Sequence, residues 1–221
     1  MTTTEPDYVP ALAYDRLTPL YDGLMRWTMR EKTFKNRLIE QASMLRGHRV
    51  LDLGCGTATL TLMVKSAHPE AEIVGLDGDP NVLALAQTKA DRQGLEIQLD
   101  QGLSTDLPYE DGEFDRVVTS LLFHHLTRDS KVRTMHEVFR VLKPGGELHV
   151  ADFGKPQNSI MRALFYLVQL LDGFETTRDN VRGALPALIA AAGFEAVERR
   201  DEIATPVGTI TLYAARRPEV M

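Results

Sequence analysis

The sequence predicts an α/β fold built on a mainly parallel sheet, and three features carry that expectation. From Arg49 onward, short β-branched or leucine-rich runs alternate with longer segments of helical period, the pattern of strand–helix–strand units. The first apolar run passes directly into a Gly-x-Gly loop at Gly54-Cys55-Gly56. The last two β-rich runs are separated only by Thr205-Pro206-Val207-Gly208, a hairpin connection, so the sheet is expected to end in an antiparallel pair.

Taken along the chain, the elements follow from local pattern. Before Arg49 there is no strand patterning; Trp27, Phe34, Leu38, Ala42 and Leu45 recur at roughly helical spacing, so residues 1–48 are read as a helical cap on the domain formed by residues 49–221. Strands are expected at 49–53, 72–77, 95–99, 114–120 and 147–153, and helices at 57–67, 80–92 and 130–142. Pro80 suits a first helical turn, where its missing N–H would be unpaired anyway. Lys143-Pro144-Gly145-Gly146 should stop a helix just before a strand. After Phe153 the pattern changes to an insert at about 154–181: an apolar helix near 159–171, then a polar linker at 172–180. A helix near 182–192 and strands at 196–203 and 209–216 complete the chain.

Composition narrows the function. Hydrophobic residues are 43% and charged residues 25% of the 221, an ordinary globular balance that excludes the disordered and collagen-like classes. With 25 Lys+Arg against 31 Asp+Glu the formal charge is −6, which supplies no general field for a polyphosphate backbone, so a nucleic-acid partner is not expected. One cysteine allows neither an intrachain disulfide nor a thiolate-rich zinc site. The first ten residues are polar and acidic without a signal-like apolar run, and a cytoplasmic location is expected. The most apolar stretch, 160–174, is interrupted by Arg162, Gln169 and Asp172 and is shorter than the ~20 residues of a bilayer crossing.

Chemistry concentrates at the glycine loop, Val50-Leu51-Asp52-Leu53-Gly54-Cys55-Gly56-Thr57. Gly54 and Gly56 let the backbone turn tightly and approach a ligand. Asp52 would repel a dinucleotide's pyrophosphate and attract a cationic group. Asp77, at the tip of the next strand, is placed to accept hydrogen bonds from two ribose hydroxyls, although capping of the helix at Pro80 is its alternative role. Asp79 stands closer to that helix start and is the better cap. Together the acids point to a nucleoside carrying a positively charged amino-acid arm.

With these residues the chain resembles the class I S-adenosylmethionine-dependent methyltransferases, in the group that includes ubiquinone and menaquinone biosynthesis methyltransferases. The resemblance spans about residues 8–194. It rests on the glycine loop, Asp77, Gln101-Gly102-Leu103-Ser104-Thr105-Asp106-Leu107-Pro108-Tyr109, Phe114-Asp115-Arg116-Val117-Val118, and the run from Glu137 to Gly146, all in the family's order. It implies a Rossmann-like seven-stranded sheet of order 3-2-1-4-5-7-6 with the last strand antiparallel. By correspondence, Asp52, Gly54, Cys55, Gly56 and Thr57 line the methionine part of S-adenosylmethionine. Asp77 with Gly78 holds the ribose, Gly102, Leu103 and Ser104 flank the adenine, and Ser120 completes the set. Leu103 departs from the family, in which an aspartate commonly meets the adenine amino group. The product would be S-adenosylhomocysteine.

Methyl transfer from a sulfonium requires alignment and exclusion of water, and no metal. In the loop after the fourth strand, His124 and His125 are candidates for a general base, against packing or capping roles for each. The loop lacks the Asn-Pro-Pro-Tyr signature of exocyclic amine methylation, which favours a small-molecule acceptor. Tyr14 and Tyr21 of the cap, and Phe153 and Phe165 at the insert, are expected on the substrate side, suiting a hydrophobic or aromatic acceptor methylated at carbon or oxygen. The same aromatic stripe equally suits a core or dimer face, and a monomer or homodimer is expected. The basic residues of the cap, Lys32 and Lys35 among them, read as solvated charge, with contact to a membrane surface as a further use. A non-catalytic sensor that keeps the nucleoside pocket, and a nicotinamide-dependent oxidoreductase, are the competing classes; Asp52 and the absence of a third glycine at Thr59 weigh against the latter.

Overall fold

A computed structural model describes residues 30–219, so Tyr14, Tyr21 and Trp27 lie outside the described residues. The elements in order are α1 (Glu31–Ala42), β1 (Arg49–Leu53), α2 (Thr59–Ala67), β2 (Glu72–Asp77), α3 (Pro80–Gln93), β3 (Gln98–Gln101) and β4 (Phe114–Ser120). A 3-10 turn (Phe123–His125) leads to α4 (Arg128–Val141), β5 (Leu142–Phe153), α5 (Ser159–Asp172), α6 (Phe174–Arg182), α7 (Leu185–Ala191), β6 (Glu195–Thr205) and β7 (Gly208–Arg216). The sheet order is β3-β2-β1-β4-β5-β7-β6. β1 is parallel to both β2 and β4, and β7 runs antiparallel between β5 and β6. The strand order therefore reverses between β1 and β4, the place where such sheets open a crevice beyond their strand ends.

Strand alternation divides the apolar residues between two cores. Leu51, Leu53, Val117 and Leu148 face α4 and α7 through Met135, Val138 and Ile189. Val50, Val118 and Ala151 face the other way, against Phe34 and Leu38 of α1, Leu60 and Val64 of α2, and Phe165 and Val168 of α5. A parallel sheet covered on both faces explains why its strands read as nearly continuous apolar runs. Each fully buried leucine or phenylalanine contributes about 1.5–3 kcal/mol. Asp52 belongs to the second face by the same alternation, which places its carboxylate under α2.

Helix termini follow their capping chemistry. The Asp79 side chain accepts the Asn81 N–H at 2.8 Å with Pro80 in the first turn of α3, which settles which of the two neighbouring acids caps that helix. Thr127 and Asn158 cap α4 and α5 in the same manner.

Four departures from the sequence expectation have an evident physical cause. β3 pairs with β2 at Gln98–Gln101 rather than from residue 95, because Leu95 and Ile97 are spent fastening the end of α3 against Ala58, Ala86 and Ala90. The stretch 172–180, expected as a linker, contains most of α6. Its buried side chains are Thr177, Asp179 and Asn180, so a helix with a polar inner face leaves no apolar period to read. Gly183, at φ 69, closes α6 and delays the next helix to Leu185. Finally, Lys143–Gly146 bulges within β5 where the register to β4 shifts between Phe114 and Arg116. No helix among the described residues is long and apolar enough to cross a membrane.

Candidate active site

A cleft of about 310 Å³ opens beyond the ends of β1, β2 and β4. Its floor is the loop from Gly54 to Thr57, and Asp77, Gly78, Gly102, Leu103, Ser104 and Ser120 stand around it. The loop exists because β1 must turn at once into α2. Gly54 has φ +70 and passes so close to Leu122 that an added Cβ would meet it at 2.9 Å. Gly56 has φ +53 and faces open space, leaving room against its backbone. After β4, Leu121 adopts φ 60, a left-handed conformation that costs a non-glycine residue about 1–3 kcal/mol and that turns the chain along the cleft wall.

The two strand-tip acids have different environments. Asp77 is half-buried; its Oδ2 accepts the Gly56 N–H at 2.8 Å and its Oδ1 accepts the Asp79 N–H at 3.0 Å. Two bonds leave further lone pairs on the carboxylate facing the cleft. Asp52 is 1% exposed and lies beneath the loop rather than on the cleft wall. Its Oδ2 accepts the Thr61 hydroxyl at 2.7 Å, while its Oδ1 has no hydrogen-bond partner. Burial pushes the Asp52 pKa up to about 6 against the opposing pull of Thr61 and the Lys35 ammonium. Cys55 is buried, with its sulfur against the space that a Cβ on Gly75 would need, and burial raises its thiol pKa far above the ordinary range. That thiol is a small packing group.

The loop after β4 separates the two candidate bases. His125 reaches the cleft beside Leu122 and Leu126. His124 is 3% exposed and points inward, its Nδ1 2.8 Å from Asp152 Oδ1. Phe153 and Phe165, expected on the substrate side, lie in the second core with ring centroids 4.9 Å apart and do not line the cleft. Of the remaining candidates, Gly54, Cys55, Gly56, Thr57, Asp77, Gly78, Gly102, Leu103, Ser104 and Ser120 are brought together around one space. Ser104 shares a hydrogen bond of 2.9 Å with Thr134, and the Leu103 side chain is exposed at the rim.

The cleft also contains residues that pattern reading passed over. Lys35 of α1, grouped by sequence with solvated charge, is buried at the cleft edge, and its ammonium contacts Glu31 at 2.7 Å. Lysine and glutamate one helical turn apart are the only sequence signal, and surface helices carry the same pair. Leu121, Leu122 and Leu126 add apolar side chains to the lining.

These features fit an adenosyl sulfonium with an amino-acid arm. The volume lies within the ordinary range of small-molecule sites of roughly 300–1,000 Å³. Asp77 keeps acceptor capacity for ribose hydroxyls, Gly56 leaves a cradle that a side chain would fill, and Glu31 and Lys35 offer opposite charges at one edge. The orphaned Asp52 Oδ1 is a buried acceptor that a cation would relieve.

Residues 50–146 match the family model described as a methyltransferase domain. The chain is 32% identical to the demethylmenaquinone methyltransferase of Thermus thermophilus over 225 aligned residues, covering 93% of this chain and 100% of that one. It is 28% identical to the ubiquinone/menaquinone biosynthesis C-methyltransferase of Syntrophotalea carbinolica, with 92% of each chain covered. Its fold is similar to that of a SAM-dependent methyltransferase from Methanosarcina mazei, with a TM-score of 0.68 and 23% identity over 82% of this chain and 98% of that one.

Proposed function

The chain belongs to the class I S-adenosylmethionine-dependent methyltransferases, in the ubiquinone and menaquinone biosynthesis group, and from that premise we propose that its acceptor is a ring carbon of a demethylated naphthoquinol. The observation that carries this reading is the match to a demethylmenaquinone methyltransferase along 93% of the chain, well beyond the cofactor-binding segment. The apolar wall of Leu121, Leu122 and Leu126 supports it, because a flat hydrophobic ring is the acceptor such a surface suits.

When bound, S-adenosylmethionine supplies a methyl group already activated for in-line displacement. In this reading Asp77 accepts from the ribose hydroxyls while it holds the loop through Gly56. The backbone of Gly54 to Thr57 lies along the amino-acid arm. Lys35 meets the arm's carboxylate, and Glu31, with Asp52 behind the loop, supplies the negative field for its ammonium. Gly102 and Ser104 would flank the adenine, with Leu103 beside them where the family commonly has a hydrogen-bonding aspartate.

On the acceptor side, His125 takes a hydrogen bond from a quinol hydroxyl. His124 beside it, and then burial, lower its pKa to about 3, so the imidazole is neutral at physiological pH. A neutral imidazole at that position orients the hydroxyl and leaves electron density on the adjacent ring carbon, which would take the methyl group as the carbon–sulfur bond breaks and then lose its ring proton to solvent, restoring the aromatic quinol. The leucine wall excludes water from the displacement.

The test is anaerobic incubation of the purified protein with methyl-labelled S-adenosylmethionine and a short-chain demethylmenaquinol, followed by mass spectrometry of the product. Label on the ring carbon is the expected result. Label on a quinol oxygen, or none in the quinol with turnover of another acceptor, overturns the acceptor assignment.

A further inference from the structure

We propose that Asp152, at the end of β5, is a positioning residue of the methyl-transfer site: acting through His124, it orients the His125 imidazole that faces the cleft. Asp152 is 0% exposed, and donors converge on it from three elements. Its Oδ2 accepts the Phe123 N–H at 2.7 Å. Its Oδ1 accepts the Phe153 N–H at 2.7 Å, the His124 Nδ1–H at 2.8 Å and the Asn180 Nδ2–H at 3.2 Å. An ionised carboxylate only accepts, so the proton of that imidazole sits on Nδ1. The first residue of the 3-10 turn and its second residue are thus tied to one carboxylate, and the third is His125.

The His124 ring is clamped as well as bonded. It meets Phe153 edge-on with centroids 4.9 Å apart, and it also meets the His125 ring, at 4.0 Å and 41°. Asn180 also donates to the Phe153 carbonyl at 2.9 Å, so α6 closes the arrangement from behind. A carboxylate so deep in the protein is costly unless paired. Burial alone would raise the Asp152 pKa, but His124 and the two backbone N–H groups outweigh it and hold the carboxyl below its ordinary range.

Other charged groups approach the same place. Lys131 of α4 and Tyr213 of β7 face Asp152. Asp179 of α6 pairs with Arg128 at 2.6 Å and stands 3.8 Å from the Lys131 ammonium, which also donates to the carbonyls of Leu126 and Thr176. His124 is bonded to Asp152 and packs against the cleft-facing imidazole. His124 lowers the His125 pKa more than any other group does, while Asp152 behind it pulls the other way. The arrangement sets the direction of the group offered to the acceptor.

The inference rests on the methyltransferase reading of the cleft and not on the identity of the acceptor. The decisive measurement is an NMR titration of the histidine ring nitrogens in the wild type, Asp152→Asn and His124→Gln, each with S-adenosylhomocysteine bound. In the wild type His125 stays neutral down to about pH 5; in His124→Gln its midpoint moves toward the ordinary value of about 6.5, and in Asp152→Asn, where the His124 ring loses its anchor, it shifts as well. A merely structural role would lower the melting temperature and leave that titration where it was. If Asp152→Asn does not fold, His124→Gln retains three of the four hydrogen bonds to Asp152 and carries the test. With the naphthoquinol as acceptor, both variants should lose on the order of 100-fold in kcat, with KM for S-adenosylmethionine changed by less than about two-fold. An unmoved His125 titration in a folded variant overturns the proposal. A wild type that methylates no naphthoquinol refutes the acceptor assignment alone, and the titration still decides the role of Asp152.

Discussion

The Asp77 carboxylate accepts the backbone N–H of Gly56 at 2.8 Å, so the acid at the tip of β2 holds the loop that follows β1. One side chain therefore couples the floor of the cleft to its wall. Loss of that carboxylate acts twice: the ribose loses an acceptor, and the loop loses its tether. Asp77→Ala should weaken S-adenosylhomocysteine binding by about 1–3 kcal/mol, measured by calorimetry. Unchanged affinity would refute the ribose assignment.

Gly56→Ala tests the cradle. Nothing lies within 4 Å of the added Cβ, so the stability cost comes from φ +53 alone, on the order of 1–2 kcal/mol. The methyl group would occupy the space assigned to the ligand. S-adenosylhomocysteine affinity should fall by more than the melting temperature explains, and equal small effects on both would count against a ligand at that position.

Lys35→Met separates the two ends of the cofactor. The ammonium at the cleft edge, paired to Glu31, is assigned to the carboxylate of the amino-acid arm, which adenosine lacks. Competition binding should show a loss of roughly tenfold for S-adenosylhomocysteine, in line with one charge-assisted hydrogen bond, and little change for adenosine. Parallel losses for both ligands would remove Lys35 from the arm site.

Asp52 makes stability depend on pH with a sign opposite to that of a paired carboxylate. Its folded pKa is raised to about 6 from an ordinary 3.8, so the folded state binds the proton more tightly than the unfolded chain does. Its contribution is most favourable below pH 4 and declines as pH rises through about 6. Urea unfolding without cofactor should therefore show wild-type stability falling relative to Asp52→Asn between pH 4 and pH 7, by on the order of 1–3 kcal/mol. A flat difference would mean that Asp52 is ionised at no cost. Binding of a cation beside it should reverse the trend and release a proton near pH 6, detectable by calorimetry in buffers of different ionisation enthalpy.

Much of this was legible because the responsible signals are local. The strand preceding Gly54, the proline that opens α3 and the hairpin at Pro206 each depend on a few neighbouring residues, and the acids at strand tips are visible as soon as the strands are. Where polar groups are buried, local pattern fails. The inner face of α6 is Thr177, Asp179 and Asn180; the first two accept from Gln169 and Arg128, and Asn180 donates to Asp152, residues remote in sequence or on another element. Lys35 on α1 looks like any surface lysine until the edge of the cleft is seen beside it.

By itself the sequence determined the strand–helix alternation, the antiparallel end of the sheet, and the loop and acids that mark a methyl-donor site, because periodicity, turn chemistry and charge act over a few residues. Tertiary structure alone decided which of two adjacent histidines meets the cleft. It also decided that Phe153 and Phe165 pack inward and that Asp52 lies under the loop. Those outcomes depend on which side of a strand or turn is already occupied by another element: His124 turns inward because Asp152, 28 residues away, is there to accept its hydrogen bond.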